Sequence, residues 1–371
     1  MNKLYFGSKA ARGFGFSLAL AGAFLAAGCN KAPVEQEPAI TGGASDPPVS
    51  FKPQWQANKR YVMQTEVVQN TTQQWGKQPQ PVTTETSMLM DYAITTSNAP
   101  DGKLGLELEI LSLSADVGAG EWTPLHFDSL NKVTPNEGQG VNMLEKVIGG
   151  RLRFLVGPDS RVIRVDGMKE FADRVENAPA TAASQAAKRG GRGMGAGWVR
   201  NFLGRFYDVS FFKQLLEFPG WPEKPVRVGE NWSLQGQTPG VMGMPLVINA
   251  QYTLKGWQTQ NGRNCARVDM SGALSSKSTP GGRPAGTAVG IENGKSTGKA
   301  WYDPALDFPV ESMVQQNFTI AGTRPAPPAQ GKPNPAKATN APMEKFSTPV
   351  FQQMTTRLTQ FLSLDEPSPA K

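Results

Sequence analysis

The sequence contains few residues that can act as general bases, nucleophiles or metal ligands. Its 371 residues include one histidine, His126, and two cysteines, Cys29 and Cys265. Histidine is the commonest general base and metal ligand, so any imidazole chemistry would depend on a single position. His126 alternates with apolar neighbours in PLHFD, which predicts a strand residue hydrogen-bonded to a carboxylate. Cys265 alternates with charged neighbours in NCARVD and is predicted to face inward as a small apolar residue.

One glycine-rich stretch resembles two catalytic motifs but meets the requirements of neither. Residues 290–297 (GIENGKST) place three residues between their glycines where a phosphate-binding P-loop has four, and a strand pattern follows where a helix is needed. Residues 294–298 (GKSTG) fit the G-x-S-x-G pattern of serine hydrolases, but no histidine follows His126. The stretch therefore predicts neither a nucleotide site nor a serine nucleophile.

Two further polar groups are explained without a ligand. Asp303 and Asp307 flank a proline turn but supply too few oxygens for Ca²⁺, so we interpret them as turn-capping residues. Residues 188–193 (KRGGRG) resemble an RNA-binding segment, yet no concentrated basic face accompanies them. We predict no nucleic-acid partner, no metal and no cofactor.

The N-terminus predicts export and lipid attachment. Three basic residues precede an apolar run over residues 14–27, which is too short to span a bilayer as a helix. The run closes as LAAGC, which resembles the bacterial lipobox, where the cysteine is diacylated and the preceding signal is removed. The resemblance implies that residues 1–28 are a lipoprotein signal peptide and that acylated Cys29 binds the lipid bilayer.

The predicted location is the cell envelope, with the folded part facing the periplasm or the cell surface. Two or three acyl chains hold a protein on a membrane durably. Asn30 follows the cysteine, which by resemblance to enterobacterial sorting rules favours the outer membrane. Loss of residues 1–28 would lower the formal net charge from +7 to +4, because Lys3, Lys9 and Arg12 leave and no acidic residue does.

The rest of the chain is predicted to be mainly β with some α. Its 40 Gly and 30 Pro indicate many turns and few long helices. Alternating patterns predict strands joined by hairpin turns, for example on both sides of Gly157-Pro158-Asp159-Ser160. Similar strand–turn–strand patterns recur in both halves, which favours two curved antiparallel sheet units from an internal duplication, joined by a helical segment. A coincidence between two ordinary β meanders remains the alternative.

Residues 198–218 form the longest predicted helix. Apolar residues at steps of three and four produce one stripe with a second stripe beside it, so this helix is expected to be buried on most sides. Its candidate hydrophobic-contact residues are Phe202, Phe206, Tyr207, Phe211 and Phe212.

These patterns divide the chain into eight segments. They are the signal peptide (1–28), a flexible tether (29–50), a first β-rich unit (51–177), a low-complexity linker (178–197), the aromatic helix (198–218), a second β-rich unit (219–320), a Pro/Ala-rich disordered segment (321–345), and a terminal strand and tail (346–371).

The order of features resembles a family of bacterial lipoproteins known as domain of unknown function 6263. The resemblance rests on the lipobox, RLRFLVGPDSRVIRV followed by Asp166-Gly167, PVRVGENW, and TGKAWYDP leading into a Thr-rich tail. These pieces are spread over most of residues 55–320. The resemblance implies location and a β-rich architecture, and it transfers no catalytic residue.

The leading hypothesis is a membrane-tethered, non-enzymatic binding or scaffold protein of the envelope that holds a hydrophobic ligand. A helix over curved sheets looks like the arrangement in lipoprotein carriers, which is an analogy of fold alone. The aromatic residues could equally fill the core and leave no cavity. Two other functions stay open, namely an adaptor that binds another envelope protein and a hydrolase that works with Asp/Glu pairs.

Overall fold

The computed structural model describes residues 37–73, 81–119, 124–131, 139–176, 209–217, 220–238, 246–276, 289–325 and 343–364, and strands account for most of them. The strands are β1 (Lys59–Gln73), β2 (Val82–Asn98), β3 (Leu104–Ala119), β4 (Leu125–Asp128), β5 (Arg151–Val156), β6 (Val162–Asp166), β7 (Asn231–Thr238), β8 (Leu246–Gln260), β9 (Arg263–Ser276), β10 (Val289–Asp303), β11 (Phe308–Pro325) and β12 (Met343–Ser363). All of their pairings are antiparallel, which confirms the predicted fold class.

Tight turns explain why consecutive strands pair. Asn261 and Gly262 form the two-residue connection between β8 and β9 with φ values of 50° and 74°. Such a turn needs positive φ at both residues, and Asn-Gly tolerates this best. Asp101 and Gly102 likewise have positive φ between β2 and β3.

The strands form one continuous sheet in the order β6-β5-β3-β2-β1-β12-β11-β10-β9-β8-β7, with β4 paired to β3. The two predicted sheet units are therefore the two halves of a single sheet, because β12 pairs with both β1 and β11. With β12 between them and β4 off the path, β6-β5-β3-β2-β1 and β11-β10-β9-β8-β7 each contain five strands paired in the order of the sequence. Any β meander pairs in this way, so the duplication stays a prediction.

In the described ranges, three α-helices pack with one half of the sheet: α1 (Gln139–Val147), α2 (Met168–Glu176) and α3 (Val209–Leu216). Leu144, Phe171 and Phe212 from these helices share one buried core with Met88 and Met90 of β2. We call the face of the sheet that carries Met88 and Met90 the apolar face and the opposite face the polar face. No helix in the described ranges is long and apolar enough to cross a membrane.

Two predicted boundaries need correction. The predicted tether reaches residue 50, yet Thr41 and Val49 make reciprocal backbone hydrogen bonds with Trp257 and Val226. Val49 is buried in an apolar cluster, which holds this part of the chain against the sheet. Strands also enter both ends of the predicted disordered segment, since β11 continues to Pro325 and β12 begins at Met343.

Candidate functional site

The predicted aromatic helix is described from Val209 onward, as α3. Phe212 is fully buried, with its ring centroid 5.9 Å from that of Phe154 in β5. The indole Nε1 of Trp55 donates a 2.9 Å hydrogen bond to the Leu216 carbonyl and so fixes the end of the helix. The space around Phe212 is therefore filled by protein. Of the other candidate contact residues, Phe202, Phe206, Tyr207 and the side chain of Phe211 lie outside the described residues, as does Cys29.

The other candidate residues, His126, Cys265 and Asp303, lie in environments that are typical of structural positions. His126 contacts Asp116 on the neighbouring strand, and both side chains are more than half exposed. Cys265 is buried, and burial raises the pKa of its thiol to about 12. Asp303 accepts hydrogen bonds from Arg263 and from the Ala305 backbone N–H, as expected of a turn cap. Within the described ranges, no three His, Cys, Asp or Glu side chains cluster closely enough to hold a metal ion.

Hydrogen-bonded side chains cover the middle of the polar face. Asp91 accepts from Ser112 Oγ at 2.6 Å and from Gln64 Nε2 at 2.9 Å. On the next two strands, Arg357 Nε donates to Glu311 Oε1 at 3.0 Å. These residues are in register from β3 to β11 and use one another as partners, so their polar groups are satisfied within the protein.

The apolar face continues beyond the helices as a row of apolar side chains. Val67, Met354, Val314, Gly298 and Met270 are paired in succession across β1, β12, β11, β10 and β9. All five are partly exposed, in contrast to Met88, which continues the row beneath the helices. We call these five residues the apolar row. It is an apolar surface several strands wide, of the kind that ligand sites are mostly made from.

A second row, two residues further along each strand, is polar but uncharged. Gln69, Gln352, Gln316 and Ser296 are paired in succession across β1, β12, β11 and β10, and we call them the glutamine row. The three glutamines are partly exposed. Ser296 is only 1% exposed, and its hydroxyl has no hydrogen-bond partner among the described residues. Beyond this row lies another buried apolar cluster that contains Leu274, Phe318, Ile320 and Val350.

Three glycines mark close approaches between neighbouring strands on the apolar face around Ser296. Gly294 and Gly298 lie two residues before and after Ser296, and Gly272 is its partner on β9. An ideal Cβ atom on any of the three would lie between 2.4 and 2.7 Å from a carbonyl oxygen of an adjacent strand. Neighbouring strands therefore rise toward the apolar face at these positions, and only a residue without a Cβ fits.

An aromatic groove of about 770 Å³ lies beside the edge strand β7. The ring of Trp221 stacks on Phe51 at 5.1 Å, and that of Trp232 stacks on Tyr252 at 5.6 Å. The Nε1 atom of Trp232 donates a 2.7 Å hydrogen bond to the Gly220 carbonyl. The rings pack mainly against one another and the groove is open, so we regard the part of the apolar face that carries the apolar row and Ser296 as the candidate site.

This site could not be predicted from the sequence. The rows exist only because side chains from five strands come into register, and β12 begins 270 residues after the end of β1 in the chain. The alternation of apolar and polar residues within each strand was the available signal. This alternation predicts which side chains share a face of one strand, but it does not predict how the strands align with one another.

No protein-family profile and no curated protein matches the chain. Among solved structures, it is similar to lipovitellin in a structure of lipid–protein interactions, with a TM-score of 0.39 and 11% identity over 85% of this chain and 27% of that chain. It is also similar to Pseudomonas aeruginosa OccK2, with a TM-score of 0.14 and 8% identity over 82% of this chain and 98% of that chain. The match to Acinetobacter baumannii OccAB3 has a TM-score of 0.15 and 6% identity, over 82% and 99% of the two chains. The chain thus spans about a quarter of lipovitellin, and none of these likenesses is close enough to bear on function.

Proposed function

We propose that this protein is a lipid-anchored, non-enzymatic binding protein of the cell envelope that holds a hydrophobic ligand on its apolar face. The observation that supports this most directly is the partly exposed apolar row. Covering apolar surface releases about 25 cal/mol per Å². Four members of the row have side chains, since the fifth is Gly298. A ligand that lies across these four side chains therefore has a favourable binding free energy, and no part of the sheet has to unfold.

The anchor and the location rest on the N-terminal pattern and on the resemblance to domain of unknown function 6263. Diacylation of Cys29 would place the sheet beside a membrane, which is both a source and a destination for a hydrophobic ligand. Expression of Cys29→Ser in a bacterial host tests this part. The variant should keep its signal peptide and lose detergent partitioning, and an unchanged intact mass would contradict the anchor.

Two neighbouring residues of β11 offer a matched test of the binding face. Val314 belongs to the apolar row, whereas Met313 faces the opposite side, and both are partly exposed. Binding of dodecane to the purified protein can be followed by displacement of the neutral dye 1-aminoanthracene. We expect Val314→Glu to weaken dodecane binding by about tenfold or more, since a charge must then be desolvated. Met313→Glu should leave binding within about twofold, as for other surface changes.

Equal effects of the two variants, or no dodecane binding to the unmodified protein, would overturn the proposal. Native mass spectrometry after gentle detergent extraction gives an independent answer. A co-purifying lipid supports the binding function, whereas a co-purifying protein without lipid supports the adaptor.

A further inference from the structure

We infer that the ligand is a neutral amphiphile whose hydroxyl, ester or amide group hydrogen-bonds to Ser296 while its hydrocarbon chain lies on the apolar row. This inference rests on the proposed function and names the class of ligand. Ser296 and Gly298 are two residues apart on β10, so the polar contact and the apolar row adjoin. A ligand that crosses both rows meets an apolar surface first and a hydrogen-bonding side chain next to it.

The first argument is the state of the Ser296 hydroxyl. It is buried and has no partner in the described part of the chain. Buried polar groups in native proteins are nearly always hydrogen-bonded, so each exception needs an explanation. A ligand that supplies the missing partner explains why a serine, and not an alanine, occupies this position.

The second argument is the set of neighbours around Ser296. Gly272, Gly294 and Gly298 carry no side chain that could reach the Ser296 hydroxyl, although the backbone of the adjacent strands occupies the space where a Cβ would lie. The partner of Ser296 on β11 is Gln316, which is partly exposed. We expect rotation of the Gln316 side chain to admit the polar group of the ligand.

The third argument is the absence of charge. Between β2 and β9, the positions of the two rows are filled by Met88, Val67, Met354, Val314, Gly298 and Met270, and by Thr86, Gln69, Gln352, Gln316, Ser296 and Gly272. None of these residues is ionisable. A carboxylate or phosphate would be desolvated there without a cation to pair with, which is unfavourable. A neutral head group meets no such penalty.

The test compares three probes that share a twelve-carbon chain: dodecane, dodecanol and dodecanoate. Each displaces 1-aminoanthracene from the full chain and from Ser296→Ala and Ser271→Ala. Ser271 lies on β9 and is exposed, so it serves as the control serine. One hydrogen bond corresponds to about a three- to tenfold change in affinity. The unmodified protein should bind dodecanol about three- to tenfold more tightly than dodecane, and dodecanoate more weakly than dodecanol.

Ser296→Ala should remove the preference for dodecanol over dodecane and leave dodecane binding unchanged, whereas Ser271→Ala should keep the preference. The melting temperature of Ser296→Ala should equal or exceed that of the unmodified protein, because an unpaired buried hydroxyl is removed. A preference that survives Ser296→Ala, or a preference for dodecanoate, would overturn this inference while the proposed function stands. Failure of dodecane itself to bind would instead overturn the proposed function.

Discussion

The indole Nε1 of Trp301 donates a 2.6 Å hydrogen bond to Oε1 of Gln258, and both side chains are buried. The same oxygen accepts from Arg267 Nη1 at 3.4 Å, and the Arg267 guanidinium lies 5.8 Å from the centre of the Trp301 ring. Arg267 is held in turn by Asp269, whose Oδ1 is 2.9 Å from its Nε. One amide oxygen therefore serves two donors at the buried base of β8, β9 and β10.

Replacing Gln258 by leucine should destabilise the fold. The substitution leaves the buried Trp301 N–H without its acceptor, which costs about 1–3 kcal/mol. Urea unfolding should show a lower midpoint with an unchanged slope. The exposed Gln360 provides the control, since Gln360→Leu should change the free energy of unfolding by less than about 0.5 kcal/mol. Equal midpoints for the two variants would show that the hydrogen bond between Trp301 and Gln258 does not contribute measurably to stability.

Two glycines of β10 should respond differently to the same substitution. A Cβ atom at Gly294 would lie 2.4 Å from the Leu274 carbonyl oxygen, whereas one at Gly290 would meet only Ser276 Oγ at 3.5 Å. Gly294→Ala forces a backbone shift and should cost about 1–3 kcal/mol. Gly290→Ala should be neutral to within about 0.5 kcal/mol. Thermal unfolding of the two variants measures the cost of a Cβ at this close approach, and equal stability would show that the backbone accommodates it.

The helix α3 should contribute to stability through Phe212. Its side chain is fully buried, so Phe212→Ala leaves a cavity and should cost about 3–5 kcal/mol. Leu130 is 72% exposed, and Leu130→Ala should leave the free energy of unfolding nearly unchanged. Chemical denaturation of both variants makes the comparison. A small decrease in the free energy of unfolding for Phe212→Ala would indicate that the packing of α3 contributes little to the stability of the core.

The single histidine allows a direct measurement of one pKa. The hydrogen bond to Asp116, followed by the attraction of its charge, raises the pKa of His126 above its ordinary 6.5. A proton NMR titration should therefore place the imidazole transition above that value, and Asp116→Asn should return it toward 6.5. The stabilisation from this pair is fully present below pH 6.5 and is lost as the pH rises through the raised value. Because the pair is exposed, the effect on stability should be small.

Local patterns predicted most strands but not their assembly. The turn at residues 157–160 could be predicted because proline, aspartate and glycine restrict the backbone locally, and strand β5 ends directly before this turn, as predicted. The attachment of Thr41 and Val49 was missed because each pairs with a single distant residue and shows no periodicity. Irregularities in strand pairing, such as the one between Leu254 and Gly256, shift the register of the strands. The local sequence does not predict them.

The site was harder to predict than the strands for a related reason. A pattern of alternating residues tells which side chains share a face of one strand. It cannot tell that Val67 and Met354 become neighbours, since that depends on which strands pair and in what register. The uncharged character of the glutamine row could be read from the sequence only after the pairing was known.

The position of β12 also governs how the protein can mature. During synthesis β1 to β11 are made first, and β1 and β11 each expose one unpaired edge until β12 follows. Contacts that join segments so far apart form slowly. Open strand edges invite pairing with other chains during that interval. The two halves of the sheet can therefore join only after β12 has been made. A chain truncated before residue 343 would consist of two half-sheets, each with an open strand edge that promotes aggregation.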